Sequence, residues 1–311
     1  MSMKAVVLGT NTFAVHDVPS PVADVNQTHL TVLACALNHR DQYIREGKYS
    51  RIQLPAILGS DVCGITNDGV RVVVDASTNW GSDARAQGKE YHILGMPSQG
   101  GLAEEICVST SNVYPAPDHL SNEEAACLHV AGVTAYRALF TRGQLQSGQT
   151  VLATGIGGGV ATFAMLFASA VGARVLASSR SQAKLDRAGE YGAEPVSMER
   201  DKGSVDLIID SIGGDKLVEY LELIKPGGTI VLYGASAGIA NNINLARVFW
   251  KQANIVGSTM GTPRDFASML EFVNRYQIRP VVDNVYALDQ FNDAFERLRN
   301  ADQFGKIVLR P

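Results

Sequence analysis

The chain has 311 residues, 46% of them hydrophobic and 19% charged, with a formal net charge of -4. That length exceeds one ordinary domain and points to two, and the composition is globular rather than disordered. No lysine/arginine run reaches the density of a nucleic-acid or membrane-surface patch, so the partner expected is a small molecule.

Cys35, Cys63, Cys107 and Cys127 form no CxxC pair. They read as buried thiols in a reducing, cytoplasmic compartment rather than as a disulfide framework. Met1 to Leu8 has no signal-peptide hydrophobic region and reads as a first strand. Gly155 to Ala173 carries no charge. Its first third is a glycine-rich loop, and the rest is too short to span a bilayer.

In chain order, the first part is β-rich. Short runs at Thr31 to Ala36, Val70 to Val74 and Ala103 to Val108 are punctuated by Gly, Pro, Asn and Asp, as in a small barrel or sandwich. Asp75 to Gly101 reads as a long polar loop. Ser121 is an N-cap candidate with Glu124 completing a capping box, and an apolar helix is expected through Leu139. Strands and helices then alternate. Strands are expected at Thr150 to Thr154, Arg174 to Ser179, Asp206 to Asp210, Thr229 to Gly234 and Asn254 to Ser258. Helices are expected up to Val171, over Ser181 to Tyr191 (with Ala183, Leu185, Ala188 and Tyr191 as its apolar stripe), over Lys216 to Ile224, and over Pro263 to Arg275. Pro226-Gly227-Gly228 reads as a turn. Apolar strands alternating with helices imply a parallel sheet covered on both faces. After Ile278 the chain returns to short strands and one helix.

The strongest chemical signal is Thr154-Gly155-Ile156-Gly157-Gly158-Gly159-Val160-Ala161, between an apolar strand and a helix. Glycines there permit a sharp turn and close approach of a pyrophosphate, and a helix N-terminus offers N–H groups and a positive dipole end. The plain alternative is a glycine-rich loop that only packs a helix on a sheet. At the end of the next strand an NAD-binding fold carries an acidic residue for the ribose hydroxyls. Here the sequence is Ala177-Ser178-Ser179-Arg180-Ser181, with Lys184 one turn on and no carboxylate before Asp186. Small hydroxyls with Arg180 and Lys184 suit a 2′-phosphate, which points to NADPH. Lysine near a helix N-terminus is unfavourable by itself, which argues against a merely solvated charge.

The order of segments resembles the medium-chain dehydrogenase/reductases from end to end. The matching motifs are Leu37-Asn38-His39-Arg40-Asp41, Leu58-Gly59-Ser60-Asp61-Val62-Cys63-Gly64, Ala131 to Leu139, the glycine-rich turn, and Gly305-Lys306-Ile307-Val308-Leu309. The resemblance implies an α/β fold: a GroES-like β-rich catalytic domain over residues 1–121 and 278–311, and a Rossmann doubly wound parallel-sheet domain over 122–277. It also implies where zinc ligands would sit: a cysteine in place of Asn38, a His-Glu pair in place of Ser60-Asp61, and a third ligand in place of Val130. The lobe for a structural zinc is missing too, with no cysteine between Cys63 and Cys107. The chain is therefore similar to the zinc-free, quinone-oxidoreductase-like branch, whose acceptors are quinones and activated alkenes.

By that resemblance Asn38 and Tyr43 face nicotinamide and substrate, with Asn38 donating an N–H to a developing oxyanion and Tyr43 orienting the acceptor or donating a proton. A barrel-core aromatic is the equal alternative for Tyr43. Thr134 contacts the cofactor; Gly158, Gly159 and Val160 cradle the pyrophosphate; and Ser178, Ser179 and Lys184 take the 2′-phosphate. Gly157 and Arg180 are expected to be cofactor-binding as well, and Gly234, closing a Rossmann strand, is expected to offer backbone to the cofactor. Ala161 stands for the third glycine of the fingerprint, and Met198 for a tyrosine that relatives often use. His39 and Asp41 are expected to make structural hydrogen bonds, and His129 has no assigned role. A homodimer is implied, pairing through the strand near Ile255. Two other functions stay open: an NADPH-binding sensor or structural protein without turnover, and an alcohol dehydrogenase or aldehyde reductase with unusual zinc ligands.

Overall fold

A computed structural model describes all residues, Met1–Pro311. The chain forms two compact units, Met1–Ala131 with Gly261–Pro311, and Gly132–Met260. The divisions thus fall at 131/132 and 260/261, not at 121/122 and 277/278. The reason is local packing. The capped helix Pro263–Tyr276 buries Phe266 against Tyr114 and His129, both in the first unit.

In the first unit, Ser2–Leu8 pairs antiparallel with Phe13–Pro19 and with Ala56–Ile57. A larger sheet runs in the order Val113–Pro115, Arg71–Val74, Asp61–Thr66, Gln27–Ala36, Lys306–Arg310 and Val282–Ala287, with Glu105–Ser109 also on Gln27–Ala36. Helix Phe291–Arg299 places Phe291, Ala294, Phe295 and Leu298 in the core, the 3.6-residue stripe of an amphipathic helix. Phe13 meets Phe291 and Phe295 edge-on at 4.9 and 5.1 Å. The Asp75 to Gly101 stretch is more ordered than its polarity suggests. Ser77–Thr78 pairs with His92–Ile93, and buried Trp80 packs on Tyr91.

In the second unit, six parallel strands are numbered β1 (Thr150–Thr154), β2 (Arg174–Ser178), β3 (Glu194–Pro195), β4 (Val205–Asp210), β5 (Ile224–Leu232) and β6 (Asn254–Gly257). Their spatial order is 3-2-1-4-5-6, with the reversal between β1 and β4. That is the doubly wound dinucleotide-binding order, and ligands bind at such a reversal. Three expectations are corrected. Pro226-Gly227-Gly228 lies within β5, whose pairing with β4 shifts register there. The helical run after Ser121 continues to Arg142 but passes through two stretches of π-helical turns. In helix Gln182–Gly189 and beyond, only Ala188 of the expected stripe is buried; Ala183 and Tyr191 are exposed, because this helix sits at the rim of the sheet beside short β3. The expected capping box is present: Ser121 Oγ accepts from Glu124 N at 3.2 Å, and Glu124 Oε2 accepts from Ser121 N at 2.8 Å.

Candidate active site

Register builds the first cluster. Ala36 pairs with both Val308 and Asp61, so the end of Gln27–Ala36 and the starts of Asp61–Thr66 and Lys306–Arg310 share one edge. Asn38 follows the first of these, and Asp61 and Lys306 open the other two. Lys306 is only 3% exposed. Its Nζ donates to Leu37 O at 2.7 Å, Asn38 Oδ1 at 2.6 Å and Asp61 Oδ2 at 2.9 Å. Asn38 Nδ2 donates to Asp61 Oδ2 at 3.0 Å, and Val130 N to Asp61 Oδ1 at 2.8 Å. Every donor of the lysine is used, which is what a buried cation requires.

Around this cluster, Asp41 is structural, as expected. Its carboxylate accepts from Asn38 N at 2.8 Å and Gly59 N at 3.3 Å, and burial pushes its pKa up against the pull of Arg40. Arg40 is buried, donates to Ser60 Oγ and to Leu94 O, and lies over the Tyr49 ring. His39 is exposed. Tyr43 is 41% exposed, so it is not a core aromatic. His129 was passed over in the sequence, yet its Nε2 lies 2.6 Å from Asp75 Oδ1 and both groups are buried. Burial raises the thiol pKa values of Cys35 and Cys127, and that of Cys63 to about 12, so none is a ready nucleophile.

The second unit carries the glycine-rich turn. Gly155 and Gly157 have φ of 66° and 105°, the left-handed region that favours glycine. Gly158 is the N-cap of helix Gly159–Ala170, and a Cβ there would meet nothing nearer than Gly155 O at 3.5 Å. Gly158, Gly159 and Val160 are half-buried, so the turn presents open backbone. Gly157 differs. It is buried, and a Cβ on it would lie 2.6 Å from Lys184 Cδ. Its absent side chain makes room for Lys184 to lie across the turn. Ile156 N donates to Ser178 O at 2.9 Å, tying the turn to the end of β2. Ser178 and Ser179 are half-buried there, Arg180 is exposed, and Ser179 Oγ accepts from Ser181 N at 3.1 Å. Thr134 is buried with its hydroxyl 3.9 Å from Met260 Sδ. Gly234 is exposed beyond β5, close over Ser211. Beneath the reversal point, buried Asp210 accepts from Thr154 Oγ1 at 2.6 Å, Tyr220 OH at 2.9 Å, Ile212 N at 3.1 Å and Gly213 N at 2.7 Å. The sequence reading missed this group, although a carboxylate closing an apolar strand was its signal.

Residues 159–275 match the zinc-binding dehydrogenase family, and 24–118 match the alcohol dehydrogenase GroES-like domain. The zinc-type alcohol dehydrogenase-like protein YogA of Leptosphaeria maculans is 31% identical over 337 residues, covering 94% of this chain and 92% of that protein. The chain belongs to the medium-chain dehydrogenase/reductase superfamily. A quinone oxidoreductase of Mus musculus is 29% identical, covering 94% of this chain and 92% of its own. An acryloyl-coenzyme A reductase of Metallosphaera sedula is 29% identical, covering 99% of each. A crystal structure of an NAD-dependent alcohol dehydrogenase superposes with a TM-score of 0.91 at 30% identity, over 99% of this chain and 100% of that one. The chain is thus an oxidoreductase of this superfamily, with its GroES-like and Rossmann units.

The superfamily's two cofactors fare differently here. For a nicotinamide dinucleotide the residues fit: an open glycine turn at a twelve-residue helix, at the end of β1 beside the sheet's reversal. For zinc they do not. Asn38 Oδ1 and Asp61 Oδ2 already hold an ammonium, Ser60 Oγ donates to Leu94 O at 2.7 Å, and Val130 contributes only a backbone N–H. Zinc takes thiolate, imidazole or carboxylate ligands, and no three His, Cys, Asp or Glu side chains gather anywhere in the chain. No helix is long and apolar enough to cross a membrane.

Proposed function

We propose that the protein is an NADPH-dependent reductase of conjugated carbonyl acceptors, quinones or activated alkenes, working without zinc. The observation that carries this reading is the Asn38–Asp61–Lys306 cluster. Where the zinc-type pattern polarises an oxygen with a metal, this chain has a neutral amide held by an internal ion pair. Conjugated acceptors spread the charge they gain and need less electrophilic help than a saturated ketone. When bound, NADPH supplies the hydride. Gly158, Gly159 and Val160 bind the pyrophosphate. Lys184, Arg180, Ser178 and Ser179 bind the 2′-phosphate, with no carboxylate there to repel it. Asn38 donates an N–H to the acceptor's oxygen, and Tyr43, exposed on the helix His39–Arg45, orients the acceptor or returns a proton.

The deciding experiment follows NADPH and NADH oxidation with quinones, enones, an α,β-unsaturated acyl thioester and a saturated aldehyde. Faster turnover with NADPH on conjugated acceptors alone is expected. Reduction of the aldehyde together with stoichiometric zinc in the purified protein overturns the reading in favour of an alcohol dehydrogenase. Tight NADPH binding without turnover of any acceptor favours the binding protein.

The protein is also proposed to act as a homodimer. Strand β6 closes one side of its sheet with Asn254, Ile255 and Gly257 exposed, and helix Leu245–Trp250 just before it exposes Leu245, Phe249 and Trp250. An unpaired strand beside large apolar side chains is suited to a second copy of itself. A monomer by light scattering at micromolar concentration refutes this.

A further inference from the structure

We infer that Lys306 is a positioning residue that fixes which end of the Asn38 amide is available to a ligand. The inference rests on Asn38 being the hydrogen-bond donor of the proposed reaction, and it adds why the amide is a donor at all.

An asparagine amide has two ends of nearly equal shape and opposite hydrogen-bonding character. Left alone, it presents either. Lysine can only donate, and an aspartate carboxylate can only accept. Lys306 Nζ sits 2.6 Å from one end of the Asn38 amide, and Asp61 Oδ2 sits 3.0 Å from the other. The oxygen must therefore face Lys306 and the nitrogen Asp61. Turning the amide over would set its NH2 against an ammonium and its oxygen against a carboxylate. Two charge-assisted bonds would be exchanged for two like-sign contacts. One hydrogen of Nδ2 goes to Asp61; the other is left to donate elsewhere.

The two groups that impose this are themselves immobile. Lys306 spends its remaining donors on Leu37 O and Asp61 Oδ2, and Asp61 Oδ1 is held by Val130 N at 2.8 Å. Lys306 is 3% exposed and Asp61 fully buried. The lysine comes from the far end of the chain, so the last strand serves the site as well as the sheet.

The test uses the full-length protein and the paired substitution Asp61→Asn with Lys306→Met, which removes both charges together and leaves no lone buried ion. In that variant Val130 N still takes the oxygen of residue 61, so its new NH2 faces Asn38, and the Asn38 amide turns over. The expected result is a fall in kcat of about 10²-fold, the scale of losing one oxyanion donor. The KM for NADPH and the melting temperature should stay near those of the unaltered protein. A purely structural role would instead lower the melting temperature and leave kcat of the folded fraction unchanged, and that outcome overturns the inference.

A second readout needs no turnover. With asparagine-selective 15N labelling and Asn38→Asp to assign the signal, one Asn38 side-chain proton should exchange slowly with solvent in the unaltered protein. It should lose that protection in the paired variant. Exchange as fast as that of an exposed asparagine in the unaltered protein refutes the inference, even if the variant does not fold. If the unaltered protein reduces no acceptor, the proposed reaction fails while the amide measurement still decides the role of Lys306.

Discussion

Two adjacent glycines of the turn should behave in opposite ways. Gly158 has φ of -75°, and a methyl there meets only Gly155 O at 3.5 Å, an ordinary contact. Gly158→Ala should therefore change stability by only about 0.5 kcal/mol. The methyl would occupy the face on which a pyrophosphate must approach the backbone, so affinity should fall at least about tenfold, or about 1.4 kcal/mol, for NADPH and NADH alike. Gly157 has φ of 105°, and a methyl there would lie 2.6 Å from Lys184 Cδ. Gly157→Ala should cost about 1–3 kcal/mol of stability through the backbone, and push the lysine off the turn. NADPH should then lose more affinity than NADH, because only NADPH carries the phosphate that Lys184 is proposed to meet. Urea unfolding and calorimetric titration with each cofactor separate the two effects. Unchanged affinity of Gly158→Ala for both cofactors would refute the assignment of this turn.

Lys184→Ala should weaken NADPH about tenfold, as expected for a charge-assisted phosphate contact, and leave NADH within about twofold by the same titration. Asp210→Ala strands the Tyr220 hydroxyl and two backbone N–H groups in the interior. It should cost about 3 kcal/mol in urea unfolding. Burial lifts the Tyr91 phenol to about 12 from an ordinary 10.0, with the Ser77 hydroxyl pulling the other way. Its neutral form thus favours the fold fully below pH 10, and that contribution is lost as the pH rises to about 12. Urea midpoints from pH 9 upward should therefore fall more gently in Tyr91→Phe than in the unaltered protein.

Much of the fold was legible because its signals are local. β1 occurs where its apolar run predicts it, and the helix after the glycine turn ends within a residue of expectation. The Ser121 cap was readable because a capping box spans four residues. The short strands Ser77–Thr78 and His92–Ile93 were not, since two residues have no periodicity and are strands only because they pair. The helix Leu245–Trp250 was missed for a related reason. Its bulky side chains are exposed rather than buried, so they form no inward stripe.

The site divides along the same line. Most of the residues meant to hold the dinucleotide lie within about thirty residues of one another, and a βαβ unit brings them together by construction. Its supports are long-range. Lys306 and Asp61 are 245 residues apart, His129 and Asp75 are 54, and Asp210 and Thr154 are 56. The first and last pairs are buried polar contacts at strand ends, set by register and not by spacing, and the second joins the helical run after Ser121 to the residue that follows strand Arg71–Val74. A motif such as Gly305-Lys306-Ile307-Val308-Leu309 shows only that a lysine opens an apolar strand, a placement that would be costly unless something waits to receive the charge. That cost is the usable signal. A lysine or aspartate at the mouth of a fully apolar strand must find its partner across the sheet, so such residues mark which strand ends meet at one edge of the sheet. Here that rule joins residue 306 to residue 61. The amide between them then becomes the group whose orientation they decide.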